Sequence, residues 1–312
     1  MIMMKNVKMR RVKRIGIIII TTLFIYCAVS ITATKLIYDG IFSRYDKAVH
    51  NIAPELEQLA GNAQVHDFSS GENDLKGYLY RSEKGCGLVV LAPGFHACAQ
   101  DYLWQIKSLT DYGWSVFAFD PTGTCSSEGD RAVGFPQELL DLEAALKYVE
   151  TCDRFGYNDI MLLGHSRGGY AACCALSYDY DISAVVSISG IDSAMDGVMG
   201  AAEEKIGKIA YGNYGFLWLY QAYLFGRDTL NLSAAEAISS RDVPVLVIHG
   251  SEDQQVPMDR YSILSHREEI SSGQVEYAVY TAGHTDILFD AEGGANSVLM
   301  KQIHEFFTKS VA

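Results

Sequence analysis

The sequence predicts an α/β protein with a mostly parallel, doubly wound sheet, a helical cap insertion and an N-terminal transmembrane helix. First, short apolar stretches alternate with stretches of helical periodicity from residue 64 onward, as in sheets covered by helices on both faces. Second, residues 191–240 form a connection far longer than one crossover needs. Third, residues 15–34 contain no charged side chain and directly follow six basic ones.

Composition limits the classes of protein that the chain could belong to. It has 312 residues, of which 49% are hydrophobic and 20% charged, so enough apolar side chain is present to bury a core. The formal net charge of −13 gives no surface for wrapping nucleic-acid phosphates, and no nucleic-acid partner is expected.

The N-terminus divides into a basic tip, residues 1–14, and the apolar stretch 15–34. Twenty helical residues rise about 30 Å, the thickness of the bilayer hydrocarbon. Basic residues before the stretch predict a single-pass membrane protein with a cytoplasmic tip and an extracytoplasmic body. Two alternatives are a signal peptide cleaved near Ala28-Val29-Ser30, which would give a secreted protein, and a buried core helix.

Residues 35–63 read as an amphipathic helical stalk, and residues 64–312 as one domain that contains the cap insertion 191–240. An antiparallel hairpin is expected at 64–70 and 75–82, around a Gly-Glu-Asn-Asp turn. Apolar runs predict buried strands at 87–93, 114–120 and 159–164 and further strands at 182–189, 243–249 and 275–281. Helices are expected at 98–111, 137–152, 167–178, 257–270 and 296–309.

The motif Gly164-His165-Ser166-Arg167-Gly168 lies between a predicted strand and a predicted helix. In that context G-x-S-x-G is a sharp turn that holds the serine hydroxyl at the top of a sheet, above the N-terminus of the helix. Ser166 is therefore the candidate nucleophile.

A serine nucleophile needs a base, and the base needs a carboxylate. His284 follows the strand 275–281 and so reaches the same sheet edge as Ser166, whereas His249 is expected to serve a structural turn. Asp253 follows the strand 243–249 and is the candidate acid, with Glu252 and Asp286 as alternatives and helix capping as its ordinary role. Four other histidines are expected to have surface roles and not to act as the base: His50, His66, His266 and His304.

An oxyanion needs hydrogen-bond donors. The main-chain N–H of Arg167, next to the nucleophile, offers one. The loop Pro93-Gly94-Phe95-His96 offers the other, with Phe95 preferred over His96 and a plain strand-to-helix turn as the alternative.

Taken together, PGFHA, FDPTGTCSSEG, GHSRGG, HGSEDQQVP and AGHTD resemble, in order, the motifs of the α/β-hydrolase superfamily. The resemblance covers about residues 64–310 and is greatest to the monoacylglycerol-lipase, esterase and serine-aminopeptidase-like branch. It implies Ser166 as nucleophile, His284 as base and Asp253 as acid, with no metal and no organic cofactor. Pro93-Gly94 departs from the His-Gly that many relatives carry at the oxyanion loop.

Aromatic residues in the insertion and a membrane anchor favour an apolar, lipid-like small-molecule ester with a short or medium acyl chain. A peptidase releasing N-terminal residues is the second hypothesis, with Glu203 or Glu204 to hold the substrate ammonium. A catalytically inactive, membrane-anchored binding protein is the third. The seven cysteines include no C-x-x-C pair, while Cys98 and Cys125 each follow a predicted strand end and could meet as a disulfide.

Overall fold

The computed structural model describes residues 2–46 and 52–311. The helices are α1 Ile2–Ile41, α2 Pro54–Gly61, α3 Leu103–Tyr112, α4 Phe135–Thr151, α5 Arg167–Cys174, α6 Ala194–Ile206, α7 Tyr214–Phe225, α8 Arg227–Leu230, α9 Ala234–Ser240 and α10 Ser297–Ser310. The strands are β1 Gln64–Ser70, β2 Asn73–Tyr80, β3 Leu88–Ala92, β4 Ser115–Phe119, β5 Ile160–His165, β6 Ala184–Ile188, β7 Val245–Gly250 and β8 Val275–Tyr280.

These strands form one sheet in the order β1-β2-β4-β3-β5-β6-β7-β8. The hairpin β1–β2 is antiparallel, β2 is antiparallel to β4, and the six strands from β4 to β8 run parallel to one another. The predicted mostly parallel, doubly wound sheet is confirmed. The carboxyl ends of β3, β5, β7 and β8 consequently meet at one edge of the sheet, where open α/β sheets bind their ligands.

Strands β3 to β7 are buried along their whole length, because helices cover both faces of the sheet. Helices α2, α3 and α10 pack on one face through residues such as Leu56, Ile106 and Ile303. Helices α4 and α5 pack on the other through residues such as Leu139 and Tyr170. This double layer holds the sheet edge rigid.

The chain between β6 and β7, residues 191–240, contains helices α6 to α9; we call it the cap segment. Ser193 caps α6 and Ser233 caps α9 by accepting a main-chain N–H three residues on. The cap segment therefore consists of several short helices, not of one crossover helix.

Helix α1 continues the apolar stretch 15–34 without a break and ends only at Ile41. Among the described residues, one helix is long and apolar enough to cross a membrane: Met9–Ile41, with mean hydropathy 2.3 and 6% of its most apolar window buried. A signal sequence would satisfy the same criterion.

The single stalk helix expected over residues 35–63 is wrong. Helix α1 ends at Ile41, Ser43 and Tyr45 form isolated bridges to Arg131 and Thr124, and α2 begins at Pro54. Proline lacks a main-chain N–H and disfavours helix at the residue before it, so a helix can begin at Pro54 but not run through it.

The helix expected over residues 257–270 is also wrong, since only residues 263–266 form a short 3-10 turn. The Ser262 hydroxyl donates to the carbonyl of Met258 and accepts the main-chain N–H of Ser265. A serine side chain that takes these partners competes with a continuous helix.

Candidate active site

Ser166 lies in the turn between β5 and α5, where the sequence places the candidate nucleophile. Its backbone has φ 56° and ψ −117°, a conformation that L-residues rarely adopt and that surrounding structure must hold in place. Gly164 and Gly168 make the turn possible. A Cβ on Gly164 would lie 2.0 Å from the carbonyl oxygen of Gly168, and one on Gly168 would lie 2.0 Å from that of Ala92.

His284 and Asp253 form a direct hydrogen bond, with Nδ1 of His284 2.6 Å from Oδ2 of Asp253. The other carboxylate oxygen, Oδ1, accepts the main-chain N–H groups of Gln255 and Val256 at 3.0 and 2.8 Å. An ionised carboxylate only accepts, so Nδ1 of His284 carries the proton and Nε2 of the neutral ring is free to take one.

The pKa of Asp253 reflects two opposed effects. Burial raises this pKa. Hydrogen bonds from His249 and His284 lower it by more, so that the net pKa lies well below the usual range of a carboxyl group. The carboxylate is thus ionised at neutral pH, as a partner for an imidazolium must be.

Ser166 and His284 line the same cavity, of about 390 Å³, at the carboxyl edge of the sheet. Phe95, Gln255 and Phe289 contribute to the same lining. The volume is within the usual range for small-molecule sites, roughly 300–1,000 Å³. The structure therefore brings together three side chains that the sequence selected from three separate loops, of which the first and last, Ser166 and His284, are more than a hundred residues apart.

The loop after β3 contributes Gly94, Phe95 and His96 to the cavity lining. His96 has φ 52°, and its ring stacks on that of Phe95 with centroids 3.9 Å apart. The main chain of Arg167 begins α5, where the N–H groups of a helix are unpaired within the helix. The two candidate oxyanion donors thus lie in the loop after β3 and at the start of α5.

The side chain of Arg167 is buried away from solvent beneath this loop. Its guanidinium lies 2.5 Å from a carboxylate oxygen of Glu138, and 5.6 Å from the centre of the Phe95 ring. Burial raises the pKa of Glu138, and the neighbouring Arg167 opposes that shift. Arg167 thereby connects α5, α4 and the Phe95 loop.

Tyr102 and His165 form a hydrogen-bonded chain that the sequence did not indicate. The Tyr102 hydroxyl oxygen accepts the main-chain N–H of Gly94 at 2.9 Å and lies 2.9 Å from Nδ1 of His165. Nε2 of His165 lies 3.1 Å from the carbonyl oxygen of His284. A carbonyl only accepts, so Nε2 carries the proton and Nδ1 accepts the Tyr102 hydroxyl.

Burial, and next to it the neighbouring His284, lower the pKa of His165 to about 3, so its ring is neutral. One neutral imidazole therefore links the oxyanion loop to the loop that carries His284. The only sign of this role in the sequence is the histidine between Gly164 and Ser166 in the G-x-S-x-G motif.

The segment after α1 contributes to the cavity. The prediction of a helical stalk over residues 35–63 gave no reason to expect this. Tyr45 lines the cavity and stacks on His96, with ring centroids 5.0 Å apart and planes at 17°. Phe42 is buried and contacts the Phe95 ring at 5.2 Å. Arg44 donates to the carbonyl oxygens of Cys125, Ser127 and Gly129. The segment that follows α1 is thus part of the candidate active site.

The other histidines have varied positions. His249 is buried at the end of β7, with Nε2 2.9 Å from the carbonyl oxygen of Val256 and 3.4 Å from Oδ2 of Asp253. It supports the Asp253 loop, in addition to the turn that was expected. His66 is not on the surface: it is buried, 3.0 Å from the Tyr148 hydroxyl, because β1 faces α4. His50 lies outside the described residues.

The alternative carboxylates lie elsewhere. Glu252 and Asp286 are exposed, and Asp253 holds the bond to His284. In the cap segment, Glu203 pairs with Arg260 at 2.7 Å and accepts the Tyr261 hydroxyl at the same distance, while Glu204 is exposed.

One group of described side chains could hold a metal ion: Asp192, Asp196 and His266, whose ligand atoms lie within 4.8 Å of one another. Asp192 already accepts the main-chain N–H of Ala235 at 2.9 Å, and Asp196 accepts the Ser193 hydroxyl at 2.6 Å. The lining of the Ser166 cavity includes none of the three. Cys98 and Cys125 are free thiols in hydrogen-bonding contact with each other.

The parallel sheet, the strained serine turn and the buried Asp–His pair define an α/β-hydrolase architecture. The chain has the α/β-hydrolase fold. A sequence profile of the family described as serine aminopeptidase, S33, matches residues 83–210, which include Phe95 and Ser166 but neither Asp253 nor His284.

Similar folds occur among solved structures. The Pyrococcus furiosus esterase Pf2001 is 20% identical, with 86% of this chain and 98% of that chain covered and a TM-score of 0.64. Est1E from Butyrivibrio proteoclasticus, solved with ferulic acid, is 18% identical over 79% and 99%, TM-score 0.60. The α/β hydrolase GrgF from Penicillium sp. sh18 is 15% identical over 80% and 98%, TM-score 0.59. No curated protein matches the sequence significantly.

Proposed function

We propose that the protein is a serine hydrolase that cleaves carboxylic esters of short or medium acyl chains, or lipid-like esters. The observation that carries this proposal is the buried Asp253–His284 hydrogen bond beside a serine in a strained turn. That combination supplies an activated hydroxyl, a base with a free Nε2, and a carboxylate to stabilise the imidazolium.

In the proposed reaction, Oγ of Ser166 attacks the ester carbonyl carbon while Nε2 of His284 accepts the hydroxyl proton. The main-chain N–H groups of Phe95 and Arg167 donate to the resulting oxyanion. The C–O bond to the leaving alcohol breaks, and His284 returns the proton to that alcohol. His284 then deprotonates a water that attacks the acyl-enzyme, which releases the carboxylic acid and restores Ser166.

The cavity supports an ester with an apolar acyl group. Phe95, Leu288 and Phe289 give it apolar walls, and Tyr45 adds an aromatic ring. The fold that the chain shares with esterases adds support by analogy only, because one fold carries many functions.

We further propose that α1 anchors the protein as a single-pass membrane protein with the hydrolase domain outside the cytoplasm. The basic residues of the tip 1–14 and the length of the apolar stretch 15–34 support this topology. Cleavage of a signal peptide near Ala28-Val29-Ser30, giving a secreted protein, is the alternative. N-terminal sequencing of the mature protein from both the membrane fraction and the culture medium distinguishes the two.

The direct test of the nucleophile is labelling by a fluorophosphonate probe. The wild-type protein is expected to label and Ser166→Ala to lose both labelling and hydrolysis by several orders of magnitude. Ser271→Ala, at an exposed serine, is the matched control and should label normally. Absence of labelling in the folded wild type would instead favour the inactive binding protein.

A peptidase is the second candidate, because the matched family profile is that of a serine aminopeptidase. Comparing p-nitrophenyl acyl esters with aminoacyl anilides tests this directly. Glu203, the candidate ammonium ligand, is already paired with Arg260, which favours the ester. Hydrolysis of the anilides and not the esters would reverse the order of the two candidates.

A further inference from the structure

The cap segment exposes an unusual amount of apolar surface. No charged residue occurs from residue 209 to residue 226, the longest such run after that in α1. Within α7, Leu217 and Gln221 are buried against the body, yet Leu219 and Tyr223 on the outer side are 56% and 83% exposed. A helix on a water-facing surface normally carries polar residues on its outer side. Ile209 and Tyr214 are exposed apolar residues before and at the start of this helix, and together with Leu219 we call them the cap patch.

The same helix packs directly on α1. The Phe216 ring lies 5.9 Å from that of Tyr26, and the Tyr220 ring lies 5.3 Å from that of Tyr38. Tyr26 is inside the apolar stretch 15–34. Since a helix rises 1.5 Å per residue, Tyr26 lies about 12 Å below the end of that stretch at Thr34.

Polar groups mark the boundary of this apolar pair of helices. Charged residues resume immediately after the stretch, with Lys35 and Asp39. Asp39 pairs with Arg131 of the body and accepts the Tyr220 hydroxyl at 2.7 Å. A tyrosine with its ring among apolar groups and its hydroxyl on a charged cluster is typical of the membrane–water interface.

We propose that the cap patch is inserted in the bilayer that α1 crosses, so that α1 and α7 together form the membrane-contacting face of the protein. This inference rests on the proposed anchor. If α1 spans the hydrocarbon, its contact with Phe216 places the start of α7 below the hydrocarbon surface. The absence of charges from residue 209 to residue 226 makes that position energetically acceptable.

The consequence for the site is that packed aromatic rings connect the end of α1 to the oxyanion loop. Ring contacts run from Tyr38 to Phe42 at 4.6 Å and from Phe42 to Phe95 at 5.2 Å. The substrate class that fits a hydrolase domain held against the bilayer in this way is an amphiphilic ester that resides in the membrane.

The test is depth-dependent quenching of tryptophan fluorescence in the full chain. The protein is reconstituted in nanodiscs of phosphatidylcholine. The acyl chains of this lipid carry bromine at a shallow, middle or deep position in the bilayer. One tryptophan at a time is added to a Trp218→Phe protein. The native Trp104 and Trp114 remain and give the same emission in every variant. Tyr214→Trp, two residues before Phe216 at a 46% exposed position, reports on the cap patch, and Val298→Trp, at a 67% exposed apolar residue of α10, is the matched control.

We expect bromolipid to remove most of the emission added by Tyr214→Trp and none of that added by Val298→Trp. Equal quenching of the two variants, or none for Tyr214→Trp, would overturn the inference. Ile20→Trp, in the middle of the apolar stretch, tests the proposed anchor separately from the inserted cap patch. If Ile20→Trp is quenched and Tyr214→Trp is not, the anchor stands and the inserted cap patch does not. If neither is quenched, the proposed anchor itself fails. No arm depends on hydrolysis.

Discussion

His165 and His284 are joined by a hydrogen bond from Nε2 of His165 to the main-chain carbonyl of His284, 3.1 Å away. The immediate chain neighbour of the candidate nucleophile therefore holds the loop of the candidate base. Through the Tyr102 hydroxyl, the same imidazole is connected to the N–H of Gly94 in the oxyanion loop. Three loops that must be aligned for acyl transfer thus share one chain of three hydrogen bonds.

Tyr102→Phe is expected to lower kcat for ester hydrolysis by about tenfold with little change in KM, because unpaired buried polar groups cost about 1–3 kcal/mol. The variant leaves the N–H of Gly94 without its acceptor and Nδ1 of His165 without its donor. Tyr157→Phe, which removes a surface hydroxyl bound by Arg81, is the control. Unchanged kcat in a folded Tyr102→Phe protein would show that the chain does not position the loops.

Asp253→Asn is expected to reduce kcat by about 10⁴. The amide oxygen stays with the N–H groups of Gln255 and Val256, so the amide NH2 donates to Nδ1 of His284 and the ring loses its catalytic tautomer. Glu252→Gln and Asp286→Asn, at exposed carboxylates on either side in sequence, should leave kcat nearly unchanged. Steady-state kinetics on one p-nitrophenyl ester compares the three. A large loss in Glu252→Gln with none in Asp253→Asn would reassign the acid.

Gly164→Ala is expected to destabilise the fold by about 3 kcal/mol or more, because overpacking against main chain cannot be relieved by a side-chain rotation. Its Cβ would meet the carbonyl oxygen of Gly168 at 2.0 Å. Gly273→Ala, where a Cβ meets nothing within 4 Å, is the control. Chemical denaturation measures both, and equal stability of the two variants would contradict the geometry of the turn.

Because His165 is neutral in the folded protein, we expect it to make the free energy of unfolding depend on pH in the acid range. Its pKa is lowered to about 3 by burial and His284, whereas an unfolded histidine titrates near 6.5. Between these values the unfolded chain binds a proton that the folded chain does not, so this group favours unfolding increasingly as pH falls. Below about pH 6.5 the free energy of unfolding should fall by about 1.4 kcal/mol per pH unit on its account.

His165→Gln removes the group that binds a proton in the unfolded chain but not in the folded one. Its free energy of unfolding should therefore decrease less steeply than that of the wild type between pH 6 and pH 4, the range of the test, whatever its value at pH 8. Denaturation series at several pH values measure the two slopes. Identical slopes would mean that His165 is not held neutral in the fold.

Tyr45→Ala is expected to shift the preferred acyl chain toward greater length, because loss of the ring enlarges the cavity next to His96. The chain-length profile of a p-nitrophenyl ester series measures this shift. Tyr157→Ala, at a tyrosine outside the cavity lining, should keep the wild-type profile. An unchanged profile in Tyr45→Ala would exclude the segment after α1 from the acyl-binding wall.

Local patterns were sufficient for much of the architecture. The apolar runs at 159–164 and 243–249 predicted β5 and β7 to within two residues, because a strand covered on both faces must be apolar throughout. The motif around Ser166 predicted its turn, because glycines are required where main chains approach this closely. Where serine side chains compete for main-chain partners, as around Ser262, periodicity predicted a helix that does not form.

By itself, the sequence determined the α/β alternation, the apolar N-terminal helix and the residue types available for acyl transfer. All three are properties of neighbouring residues along the chain. Only the tertiary structure decided that Tyr102 and His165 join the loops of Phe95 and His284, that Tyr45 reaches the cavity and that α7 lies against α1. These contacts depend on strand order and helix packing, which bring together residues tens to hundreds of positions apart and leave no periodic trace in the sequence.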